Sequence, residues 1–73
     1  MKIIDNTFLT AREEEIILFL LEGKTKQYIA ERLCLSVATI KTSTEKIYTK
    51  FNVHNKIELL VYLIQNKIIE LNQ

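Results

Sequence analysis

An all-α domain of four helices is the fold class that the sequence predicts, on three observations. Proline is absent, Gly23 is the only glycine, and Ile, Leu, Lys and Glu are abundant, a composition that favours helices. Thr10, Thr25, Ser36 and Asn55 each precede a run in which apolar residues recur at helical spacing. The chain has 73 residues, enough for one domain. A domain this short buries only roughly 60% of the surface of its unfolded chain, so its helices must pack densely or associate.

Residues 1–8 show no sustained period and read as an arm ahead of a domain spanning residues 9–73. Thr10-Ala11-Arg12-Glu13 is a reciprocal capping pattern, and the acids at 13, 14 and 15 favour the positive end of a first helix. Ile16, Ile17 and Leu20 supply its apolar face, and Gly23 ends it, since glycine takes a left-handed turn without steric cost. Thr25 caps a short second helix with Ile29, Ala30 and Leu33 on its apolar face, and Cys34-Leu35 connects it to the next. Ser36 caps a third helix, on which Val37, Ile40, Ile47 and Phe51 follow a spacing near 3.6 and are expected to face the core. Its other face carries Lys41, Thr42, Glu45, Lys46 and Lys50. Asn55 opens a fourth helix, expected to run to about Ile68 and apolar around most of its circumference. One side of such a helix packs on the core; the other needs a partner, most simply a second copy.

The formal net charge of +1 hides a division along the chain. Between Lys24 and Lys56 the cations 24, 26, 32, 41, 46, 50 and 56 face only Glu31 and Glu45. Outside that stretch Lys2, Arg12 and Lys67 are outnumbered by acids at 5, 13, 14, 15, 22, 58 and 70. A basic centre between acidic flanks points to a polyanion as partner. An enzyme is disfavoured, because there is no glycine-rich phosphate loop, no paired nucleophile and base, and little bulk to enclose a pocket. Cys34 alone makes no internal disulfide and, with His54, no metal cluster, so neither metal nor cofactor is expected. His54 reads as a solvated loop residue and Cys34 as a bystander thiol. Met1-Lys2-Ile3-Ile4 leads directly to Asp5 and Asn6, unlike a signal peptide, and the apolar run from Leu59 to Ile64 is too short to span a bilayer. A cytoplasmic protein without a membrane or small-molecule partner is the expectation.

Two short helices, a brief connection and a capped helix with a polar face make a helix-turn-helix pattern, with small Ala30 allowing close approach of the two axes. Leu9-Thr10-x-Arg12-Glu13-x-Glu15-Ile16, Gly23-x-Thr25, and Ile29-Ala30-x-x-Leu33-x-Leu35-Ser36-x-x-Thr39-Ile40-Lys41 resemble the LuxR/GerE-type helix-turn-helix family. Ile47-x-x-Lys50-Phe51-x-Val53 and Glu58-Leu59 extend the resemblance over residues 9–65. It implies a four-helix fold with the third helix in the major groove of DNA and the fourth used for dimerisation. Members usually carry a receiver or ligand-binding domain in front, so the expectation here is the free-standing kind.

Carried across residue by residue, the resemblance makes Lys41, Thr42 and Glu45 base-contacting positions. Thr25, Lys26, Gln27, Ser36, Thr39, Lys46, Lys50 and Lys56 become phosphate contacts, which set register and affinity rather than sequence choice. Val61, Tyr62, Gln65 and Ile68 are the expected dimer interface. The implied protein is a nucleoid-associated homodimeric transcription regulator of double-stranded DNA, with RNA polymerase as a further partner. A protein-interaction module that pairs with a larger regulator through the fourth helix is the alternative. Ser43, Glu45, Asn52 and Lys56 depart from the residues most frequent in the family at those positions, as does Lys26-Gln27-Tyr28.

Overall fold

Each helix starts where a side-chain oxygen can satisfy first-turn amides that lack a partner within the helix. In the computed structural model, which describes residues 2–3 and 9–70, β1 (Lys2–Ile3) precedes four helices. These are α1 (Ala11–Leu21), α2 (Lys26–Leu33), α3 (Val37–Lys50) and α4 (Lys56–Gln65). They stand behind the expected caps Thr10, Thr25, Ser36 and Asn55. At α1 the cap is reciprocal: the Glu13 amide donates to Thr10 Oγ1 at 3.1 Å, and the Thr10 amide donates to Glu13 Oε1 at 3.0 Å.

The helix ends obey one rule that the sequence announces openly only once. Each closes around a residue of left-handed backbone: Gly23, Cys34, Asn52 and Lys67, with φ of 85°, 58°, 57° and 57°. The next amide then reaches back to a carbonyl of the last turn. Lys24 bonds Phe19 at 3.0 Å, Leu35 bonds Ala30 at 2.9 Å, Val53 bonds Tyr48 at 2.9 Å and Ile68 bonds Leu63 at 2.8 Å. At the last three stops the residue donating this bond is apolar and packs against the core.

The fourth stop corrects the expected length of the last helix. α4 ends at Gln65, and Ile68 lies beyond it, buried in the chain's own core. Ile69–Glu70 then forms β2, antiparallel to β1, with Lys2 opposite Glu70 and Ile3 opposite Ile69. Residues 2–3 of the expected arm are thus a strand; residues 1 and 4–8, like 71–73 of the expected domain, lie outside the described residues.

The core is made by Ile16, Ile17 and Leu20 of α1, Ile29 and Ala30 of α2, Ile40, Ile47 and Phe51 of the α3 region, and Leu59 and Leu63 of α4, with Ile68 and Ile69. Val37 is a second correction: it is 46% exposed, one turn before Ile40. The inward face of α3 is Ile40, Thr44, Ile47 and Phe51 instead. Thr44 is tolerated there because its hydroxyl donates to the Ile40 carbonyl at 2.8 Å.

One ion pair joins the first turn of α1 to the last residue of α3. Lys50 Nζ lies 2.7 Å from Glu13 Oε1, the same oxygen that accepts from the Thr10 amide. Burial by itself would raise the Glu13 carboxyl. The hydrogen bonds from Lys50 and from the Thr10 amide, with the charge of Lys50, outweigh burial and hold it below the ordinary value of 4.5.

Gly23→Ala meets no atom within 4 Å, so only its positive φ penalises the added methyl, by about 1 kcal/mol. Lys67→Gly should gain a similar amount, raising the melting temperature by roughly 4–8 °C per kcal/mol; calorimetry on both variants reads the opposite signs. Because the folded value of Glu13 is depressed, its contribution is full above about pH 4.5 and is lost as pH falls through the folded value. Denaturant titrations at decreasing pH should show a shallower acid loss for Glu13→Gln than for the parent chain.

Candidate nucleic-acid interface

The left-handed residue Cys34, Leu35 and the cap Ser36 make a three-residue connection between α2 and α3. Ile29 and Ala30 are buried on α2, Ile40 on α3, and Leu35 packs against them from the turn. With one side of α3 committed to the core, the residues opposite face outward. Ala38, Thr42, Glu45, Lys46 and Thr49 are all exposed, with Thr39 and Lys41 on the two flanks. This two-helix unit, with a solvated polar face on its second member, has the architecture that lays one helix across a duplex and another in its major groove.

The expected site residues divide into two groups. Lys41, Thr42, Glu45 and Lys46 of α3, Lys26 and Gln27 in the first turn of α2, and Lys56 at the start of α4 are exposed. Among the described residues none of these seven has a side-chain partner. The other group is engaged within the fold. Thr25 Oγ1 accepts from the Tyr28 amide at 3.0 Å, and Ser36 Oγ accepts from the Thr39 amide at 3.1 Å. Ser36 Oγ and Thr39 Oγ1 lie 2.9 Å apart, so the pair shares one proton and keeps one hydroxyl proton to donate outward. Lys50 is held by Glu13.

Around this face, Lys24 Nζ lies 5.0 Å from the centroid of the Tyr28 ring, which meets Phe19 edge-on at 5.8 Å. Tyr28 thereby fixes the α1–α2 corner beside Thr25 and Lys26. Tyr48 is half-buried on α3, and burial pushes its phenol up. Ala38, Thr39, Thr42, Ser43 and Lys46 line a shallow groove along the outer face of α3. Val37 and Ala38 were missed as outward-facing residues, because stepping back three positions from Ile40 puts Val37 on the core side. The capped first turn sits further out than that count implies.

On α4 the outward apolar stripe consists of Ile57, Val61 and Ile64, 72%, 45% and 37% exposed, with Gln65 beside it. Of the expected interface residues, Val61 and Gln65 lie on this stripe. Tyr62 turns inward, half-buried, with its ring 5.3 Å from that of Phe51, and Ile68 is buried beyond the helix end. Ile57 and Ile64 complete the exposed stripe and were not singled out from the sequence. Their spacing to Val61 marks them, but a helix with apolar residues nearly all round does not say which stripe faces out.

Among the described residues no helix is long and apolar enough to cross a membrane, and no cluster of His, Cys, Asp and Glu could hold a metal ion. Residues 7–63 match the sequence profile described as GerE, bacterial regulatory proteins of the luxR family. The chain is 36% identical over 61 residues to the transcriptional regulatory protein LiaR of Bacillus subtilis, covering 84% of this chain and 29% of that protein. It is 32% identical over 62 residues to the response regulator protein VraR of Staphylococcus aureus, covering 85% of this chain and 30% of that one. Among solved structures it resembles VqmA bound to DPO, with a TM-score of 0.72 and 33% identity over 82% of this chain and 30% of the other. The chain thus spans less than a third of the length of these relatives. The family is one of DNA-binding transcription regulators rather than enzymes. With its profile matched over residues 7–63 and its fold reproduced, this chain belongs to the luxR family of bacterial regulatory proteins and carries that family's helix-turn-helix DNA-binding domain.

Proposed function

We propose that this chain is a sequence-specific transcription regulator that binds double-stranded DNA as a homodimer, with α3 in the major groove. The observation that carries the reading is the set of exposed, unpartnered polar side chains opposite the buried face of α3. Lys41 donates to guanine O6 or N7, Thr42 meets a thymine or donates a hydrogen bond, and Glu45 accepts from cytosine N4. Lys26, Gln27, Lys46 and Lys56 neutralise or bond phosphates, assisted by the hydroxyl protons that Thr25 and the Ser36–Thr39 pair retain. Lys50 stands apart, because reaching a phosphate requires it to leave Glu13.

The second copy sits on the stripe of Ile57, Val61 and Ile64, placing two α3 helices on successive major grooves of a two-fold-symmetric site. Duplex-bound regulators of this kind act in the cytoplasm and present their outer surface to RNA polymerase.

Selection from a random duplex pool should enrich a site with two-fold symmetry, and enrichment of nothing would overturn the reading. On the enriched duplex, Lys41→Ala should cost about 1–3 kcal/mol and relax preference at one position of each half-site. Lys46→Ala should weaken all sequences alike and flatten the salt dependence by about one unit of slope. Val61→Glu, at an exposed position, should leave the fold intact while light scattering reports a monomer and affinity for the symmetric site falls.

A further inference from the structure

We infer that A·T pairs in the bound half-site are read from their thymine edge, by the shallow groove on α3 where Ala38 and Thr42 receive the thymine 5-methyl group. This inference rests on the proposed placement of α3 in the major groove and deepens it.

The side-chain inventory of the outer face points to thymine. Adenine is identified in the major groove by a side chain that both donates and accepts, Asn or Gln, engaging N6 and N7 together. The outward residues of α3 are Val37, Ala38, Thr39, Lys41, Thr42, Glu45, Lys46, Thr49 and Lys50, with neither Asn nor Gln among them. Guanine has Lys41 as donor and cytosine has Glu45 as acceptor. With no such side chain for adenine, the mark of an A·T pair that no other base carries and that this face can meet is the thymine methyl group, with the O4 acceptor beside it.

The groove supplies a counterpart to both. It is lined by Ala38, whose side chain is a methyl group, and by Thr42, which carries a methyl and an unpartnered hydroxyl. Lys46 stands at the same groove without a partner, and Thr39 beside it is already bonded to Ser36. Val37 and Ala38 are exposed apolar residues in the first turn of α3. That is the part of a recognition helix that meets base edges, so a base methyl covers surface the fold leaves wet.

The test removes one methyl group at a time from the DNA. In the duplex enriched from the random pool, each thymine is replaced singly by uracil, and affinity is measured by fluorescence anisotropy at fixed salt. One position per half-site should bind about four-fold more weakly as uracil, the worth of one buried carbon group (about 0.8 kcal/mol). Thr42→Ser and Ala38→Gly, each checked for helicity and melting temperature, should bring that thymine-to-uracil ratio close to one. If the enriched duplex binds equally well with uracil at every position, the thymine reading is overturned while DNA binding stands. A uracil effect of undiminished size in both variants would overturn it too, placing the methyl contact elsewhere. A pool that yields no enriched duplex removes the regulator reading and this inference with it.

Discussion

The angle between α2 and α3 depends on one reversal of the backbone at Cys34. There the chain enters the left-handed region, the Leu35 amide returns to the Ala30 carbonyl, and the Leu35 side chain packs against the core. Ser36 is then free to cap α3, because the preceding turn has already closed α2. A left-handed conformation is unfavourable for a residue with a Cβ, by about 1–2 kcal/mol, so it persists only because packing on both sides requires it. Which residues of α3 face outward follows from this geometry rather than from the composition of α3 itself.

The division between engaged and free side chains has a physical logic. Hydroxyls at Thr25, Ser36 and Thr39 hold their helices in place, while Thr25 and one member of the Ser36–Thr39 pair retain a proton for an outside acceptor. The lysines at 41 and 46 are unpartnered among the described residues, so holding them in the proposed complex costs rotamer freedom. A domain with a thin core gains by combining both kinds: the short side chains define orientation, and the long ones supply charge. In the proposed complex, Glu45 among the lysines lowers the net attraction of the face to phosphate and raises the share of binding that depends on sequence.

The beginnings of all four helices were legible in the sequence, since Thr, Ser and Asn caps are a chemical requirement written in residue type. The endings were legible at Gly23 and at the Cys34-Leu35 connection, but only Gly23 announced the left-handed backbone that makes them. Cys34, Asn52 and Lys67 adopt the same backbone but are not residues that announce it. The misread end of α4 shows why. Ile68 falls where a continuing helix would want an apolar residue, yet its apolarity serves the hydrophobic contact that accompanies a left-handed stop. The pairing of β1 with β2 left no trace, because two-residue strands are too short for alternation to register. Within the site the charged members were read correctly as exposed, whereas Val37 was drawn to the core by spacing alone.

The oxygen Glu13 Oε1 serves the Thr10 amide and the Lys50 ammonium at once, and this ties together the motions of two distant helix ends. Fraying of the first turn of α1 withdraws the acceptor from the last turn of α3, and release of Lys50 loosens the cap of α1. Local opening at one place therefore favours opening at the other. The C-terminal end of α3 is thus anchored to a turn that lies outside the helix-turn-helix unit.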